Sequence, residues 1–276
     1  MYHITKDKKC IIYVLLFIVS IIPFFLTSPN NSNQFDGKEL FTPELSYLNS
    51  VNKSISYLDS IYLLNHLAVF DTAKYVQIAS RFTKERFHYG LSHYSVSENW
   101  ISYLSGKLLW EHLSAIVNPD DILKHSEGLC SQQTIVFMEF LMRKKINVRS
   151  VGLGYSEGPG HFLCEVYYNG GWHLHDVTKE PEWSKIENEH LSMEYYLSNK
   201  DSLYRAYQSK LEKSEFNKIT ERVSYGNVNE FPAKKMLFFH QATYVFTYFL
   251  PSVFLALFLY SYRKLRKRSV VNRVRN

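Results

Sequence analysis

The chain has 276 residues, 46% of them hydrophobic and 16% aromatic, and a formal charge of +6. That allows one sizeable core plus extra segments and excludes a disordered or fibrous protein. The charge does not mark a nucleic-acid binder. Residues 1–10 hold three lysines against one aspartate and residues 261–276 hold seven basic residues and no acid, so the stretch between is mildly acidic.

In chain order, residues 1–9 read as a cytoplasmic N-terminus and residues 10–27 as a transmembrane anchor. Ile11–Leu26 is an almost unbroken apolar run behind three lysines, close to the length a bilayer crossing needs. A cleaved signal peptide has the same basic start, but no small-x-small cleavage pattern follows, and Pro23, Phe24 and Phe25 occupy its place. Residues 28–42 are a polar linker. From Pro43 to about Asn118 the pattern is helical, with Leu45, Leu48, Val51, Ile55, Leu58 and Ile61 at spacings of three and four. Asp71 is placed to cap a helix through Arg86 and Ser97 another through about Ile116, while Asn118-Pro119 starts a short helix up to Ser126. Asn147–Tyr155, His161–Tyr168 and Trp172–Val177 read as strands, the last two joined around Asn169-Gly170-Gly171. Helical patterns return over Glu189–Ser198 and Asp201–Lys213, and residues 214–233 give no clear pattern. Residues 236–260 are a second apolar span, followed by a basic tail at 261–276. Basic flanks mark the cytoplasmic side, so both termini are expected inside and residues 43–235 outside. The expected architecture is α+β: a helical part (43–126), a central core (127–182) and C-terminal helices (183–235) between two transmembrane helices.

The central core carries the chemistry. Cys130 opens the apolar helical run from Ser131 to Lys145, where unpaired N–H groups lower a thiol's pKa and receive an oxyanion. His161 and Asp176 lie on the two successive strands. In a register pairing Tyr167 with Trp172 they share a face as diagonal neighbours, and Cys164 falls on the opposite face with Phe162 and Val166. A three-residue loop would separate His161 from Asp176, and the sequence alone does not choose between the two.

The pattern Gly-Leu-Cys before a helix, Gly-His-Phe-x-x-Glu-Val-x-x-x-Gly-x-Trp, then Asp-Val-Thr resembles the transglutaminase-like superfamily of papain-type cysteine enzymes. The resemblance covers roughly residues 95–185. It implies a papain-like core, with Cys130 as nucleophile, His161 as general base and acid, and Asp176 as the group orienting His161. It implies no cofactor. Phe162 stands where the family often has Ala-Trp, and Val177-Thr178 replaces Pro-Thr. Nothing matches the calcium sites of the animal crosslinking enzymes, so crosslinking is not implied.

The expected function is cleavage or transfer of an acyl group at an amide or ester carbonyl in a peptide, protein or other amide-bearing substrate outside the membrane. The alternative is a catalytically silent binding or accessory module. Other readings of these residues are weaker: a Cys130–Cys164 disulfide, or a metal site made from His161, His173, His175 and Asp176, whose side chains alternate between two faces. With three cysteines and no Cys-x-x-Cys pair, there is no disulfide scaffold and no zinc motif. Glu165 shares the face of His161 and reads either as a support of the site or as a salt-bridge partner. His125 lies five residues before Cys130 and reads either as approaching the site or, more simply, as part of a solvated loop.

Overall fold

The computed structural model describes residues 8–26, 40–65, 70–154, 160–179, 181–185 and 190–275, and the chain divides into two compact units. In chain order the first half holds α1 (Lys8–Ile21), α2 (Val51–Asn65), α3 (Thr72–Arg86), β1 (His88–Tyr89), α4 (Val96–Leu108), α5 (Pro119–Ile122), β2 (Glu127–Gly128) and α6 (Cys130–Arg143). The second half holds β3 (Val148–Gly154), β4 (His161–Tyr168), β5 (Gly171–His175), α7 (Met193–Ser198), α8 (Lys200–Tyr207), α9 (Lys213–Ile219), β6 (Arg222–Tyr225) and α10 (Lys234–Arg275). The expected linker lies almost wholly outside the described residues, as does the start of the helix expected from Glu189.

The larger unit comprises residues 32–92 and 116–234. It is α+β, built on an antiparallel sheet in the order β5-β4-β3-β6. The β4–β5 connection is a two-residue turn in which Asn169 and Gly170 both have positive φ (50° and 82°), the geometry an Asn-Gly pair favours. Tyr167 consequently pairs with Trp172 and Cys164 with His175. This is the register that places His161 and Asp176 on one face.

Helix α6 packs on β3 and β4, and α2, α3 and α5 cover its other sides. It is therefore apolar nearly all round, with Ile135 to Met138, Phe140 and Leu141 all buried. The opposite face of the sheet contributes Val151, Leu153, Leu163 and Leu174 to a core completed by Met193, Tyr196, Leu203 and Phe216 of α7, α8 and α9.

Several boundaries differ from expectation. Asp71 caps α3 as its position suggested, accepting from the Lys74 N–H at 3.1 Å. The next helix is capped by Ser95 rather than Ser97, because Ser95 and Glu98 bond reciprocally (2.8 and 3.3 Å). That helix stops at Leu108, and a 3-10 turn at Glu111–Leu113 follows. The expected helix over Asp201–Lys213 ends at Tyr207, with α9 starting afresh at Lys213, and the unassigned stretch beyond supplies the edge strand β6.

The smaller unit gathers residues 1–31, 93–115 and 235–276. Its stretches Lys8–Phe25 and Lys234–Lys267 are helical and apolar enough to cross a membrane, spanning 18 and 34 residues. Most of their side chains are uncovered, including Leu15, Val19, Phe238 and Val245.

Candidate active site

Cys130 is the first residue of α6, preceded by Leu129 in an extended conformation. Leu129 has no side-chain acceptor with which to cap the helix. Gln132 reaches back instead, its Oε1 accepting from the Leu129 N–H at 3.1 Å. The same oxygen accepts from Ser92 N–H (3.0 Å), and Gln132 Nε2 donates to the carbonyls of Ser92 (2.7 Å) and Ile116 (2.8 Å). Four bonds to one buried side chain thus hold the helix start that presents Cys130. Thr134, one turn further along, donates to the Phe162 carbonyl at 3.1 Å and docks this end of the helix on β4.

His161 is the first residue of β4, opposite Leu153. The preceding Gly160 has a steric cause: a Cβ there would run into the Leu153 carbonyl oxygen. The buried imidazole approaches Asp176 through Nε2, 2.6 Å from Oδ2, which leaves Nδ1 for the thiol. Asp176 follows β5 directly and is fully engaged. Its Oδ1 accepts from the N–H groups of Thr178 (3.1 Å) and Lys179 (3.0 Å), and its Oδ2 also accepts from the Tyr207 hydroxyl (2.7 Å).

The electrostatics follow from these contacts. Burial pushes the Cys130 thiol up, but a hydrogen bond and charge from His161 and the Phe162 N–H outweigh it, leaving the thiol below its ordinary value. Burial alone would keep His161 neutral. Asp176, with the Cys130 sulfur, raises the imidazole to about 10. Asp176 is held down to about 2 against its own burial by His161, Tyr207 and Lys179. The shifts agree in sign, each favouring the charged form of its group: the thiol and the carboxyl are lowered and the imidazole is raised.

A cavity is lined by chain neighbours of these residues. Gln133, one turn along α6 from Cys130, and Thr178 and Lys179 beside Asp176 line this cavity of about 400 Å³, which also meets Lys84, Phe87 and Lys210. The first turn of α6 also carries N–H groups that have no intrahelical acceptor.

The other residues singled out by sequence have structural surroundings. Cys164 is a fully buried free thiol, raised well above its ordinary value by burial. His175 stacks on His190 (centroids 4.6 Å) beside Phe137 (5.9 Å), and burial holds it well below its usual value. His173 bonds the carbonyls of His190 (2.8 Å) and Tyr168 (2.9 Å). No group of three or more His, Cys, Asp or Glu among the described residues is placed to hold a metal ion. Glu165 is buried against Arg149 (2.7 Å) and accepts from the Met193 N–H (2.6 Å). The guanidinium of that arginine lies between the rings of Trp172 and Tyr225. Trp183 belongs to the core on the α8 side. The His125 carbonyl accepts from Arg86 at 3.0 Å.

Sequence reading missed Tyr207. It lies 31 residues beyond Asp176 on a different helix, and no local spacing marks it. A comparison with protein-family models, curated proteins and solved structures found no match to this chain.

Proposed function

We propose that the chain is a membrane-anchored, transglutaminase-like thiol enzyme that cleaves or transfers an acyl group at an amide or ester carbonyl. One observation carries the reading: a continuous line of contacts from the Cys130 thiol through His161 to Asp176, with shifts that favour the charged form of all three. A helix bearing the nucleophile, packed on an antiparallel sheet bearing the other two groups, is what a papain-like core requires.

In the proposed cycle the Cys130 thiolate attacks the carbonyl carbon, forming a C–S bond while the carbonyl electron pair moves onto oxygen. First-turn N–H groups of α6 receive that oxyanion. His161 gives its proton to the departing amine or alcohol as the C–N or C–O bond breaks, leaving a thioester. Water or an amine then attacks the thioester, His161 takes its proton, and the thiolate is released. Asp176 remains ionised throughout and holds the ring. The apolar helices with their basic flanks favour both termini on the cytoplasmic side and this site outside.

The test is labelling of the full-length protein in vesicles by a peptidyl vinyl sulfone. Wild type should be modified at Cys130, Cys130→Ala should not react, and His161→Ala should react about 10²–10⁴-fold more slowly. Labelling of Cys130→Ala at the wild-type rate would remove the thiol from the mechanism.

A further inference from the structure

Residues 93–115 leave the larger unit and return to it at adjacent points. Ile116 N–H donates to the Ser92 carbonyl at 3.0 Å, and both ends are pinned by Gln132. The excursion groups with the two apolar helices, not with the residues on either side of it in the chain. Its bonds to α10 show at what level of that helix it lies. Asn99, wholly buried, donates to Thr243 Oγ1 (2.9 Å) and accepts from Thr247 (3.2 Å), while His240 Nε2 bonds the Leu113 carbonyl (3.0 Å). The Tyr94 ring meets His240 edge-on, 4.9 Å between centroids.

At about 1.5 Å per residue, His240 lies roughly 6 Å and Thr247 roughly 16 Å along α10 from Met236, where the apolar span begins. On the reading that α10 crosses a bilayer, the entry and exit of the excursion sit just inside the outer boundary and Asn99 reaches deeper. The turn Ile22–Phe25 at the end of the other apolar helix packs on α4 as well. The backbone suits such a setting. Asn99 breaks the helix (φ −153°, ψ 80°), and its own side-chain oxygen accepts from the Ser102 N–H at 3.1 Å, which takes up one backbone group at the break. Ser102 in turn bonds the Leu113 carbonyl at 2.6 Å and closes the excursion into a hairpin.

The far end of that hairpin carries an uncovered apolar patch, Leu108 76% exposed, Leu109 79% and Trp110 57%, with the exposed polar Glu111 and His112 next to it. Lys107 lies over the Tyr103 ring, a charge on a long stem beside an aromatic. A tryptophan and a lysine flanking leucines is the pattern of a helix lying in the headgroup–acyl boundary.

We infer that residues 93–115 form an in-plane membrane hairpin, seated on α10 through Asn99, whose Leu108–Trp110 tip inserts between the acyl chains of the outer leaflet. The partner is the lipid itself. The inference rests on α10 crossing the bilayer, and the experiment separates the two. Leu109→Cys, and in a second protein Val245→Cys on the exposed flank of α10, are made in a Cys130→Ala background and labelled with bimane. Each full-length protein is reconstituted in phosphatidylcholine vesicles. Lipids with bromines about 5–10 Å below the headgroups, the depth of an in-plane helix, should quench the label at position 109 by about half. More deeply brominated lipids should quench it less. Quenching of the Val245→Cys label but not of the Leu109→Cys label would overturn the hairpin and leave the spanning helix intact. Quenching of neither would overturn both.

Discussion

Tyr207 donates its hydroxyl to Asp176 Oδ2, the same oxygen that His161 Nε2 engages, at 2.7 and 2.6 Å. One carboxylate oxygen therefore serves two partners, one from the sheet and one from α8, and the packing of α8 sets where the imidazole points. Tyr207→Phe removes one donor from a buried charge, so stability should fall by about 1–3 kcal/mol in urea unfolding. Asp176 stays ionised near neutrality without that bond, so the pH inflection of Cys130 alkylation should not move. An inflection shifted up into the ordinary thiol range would give Tyr207 an electrostatic role beyond positioning.

Asp176→Asn removes the charge that raises His161. The imidazole, left with its burial against the Cys130 sulfur alone, should fall from about 10, and the thiol should rise as its cationic neighbour is weakened. Acylation at neutral pH should drop by about 10²–10⁴-fold. An unchanged pH–rate profile in this variant would contradict the assignment of Asp176.

The same shifts set a stability window. His161 is raised in the folded chain, so its contribution is complete below 6.5 and is lost as pH climbs through about 10. Asp176 is lowered, so its contribution is complete above its ordinary 3.8 and is lost as pH falls towards about 2. The stability difference between wild type and Asp176→Asn should therefore be greatest between 3.8 and 6.5 and shrink on both sides. Urea midpoints measured across pH test this, and a difference that keeps growing above pH 10 would refute it.

Glu165 shares a face with His161 but serves the fold. Glu165→Ala strips the partner from Arg149 and an acceptor from the Met193 N–H, and should cost about 3–5 kcal/mol. The alkylation inflection of Cys130 should be that of wild type. A shift there would place Glu165 within the electrostatics of the site.

How much of this was legible in the sequence follows from the range of each interaction. The β4–β5 register was readable because alternation is local and Asn169-Gly170 demands a tight turn. Asp71 was readable as a cap for the same reason. Tyr207 was not, because its bond to Asp176 depends on how α8 packs on the sheet. The edge strand Arg222–Tyr225 was missed because its four residues pair on one side only and are largely exposed, which leaves no hydrophobic alternation to read. The excursion over residues 93–115 read as part of a continuous helical stretch, since amphipathic spacing is the same whether a helix faces a protein core or another helix in a membrane. Ser95 and not Ser97 is the cap because Glu98 stands three residues after it, a spacing that is visible in the sequence.

The central claim is that Cys130 is an activated thiolate. Its alkylation by iodoacetamide, followed against pH by mass spectrometry of the Cys130 peptide from full-length protein, tests that claim most directly. The account predicts an inflection clearly below the ordinary thiol value of about 8.5 in wild type, and one at or above it in His161→Ala. An inflection at the ordinary value in wild type, unmoved by loss of His161, would contradict it.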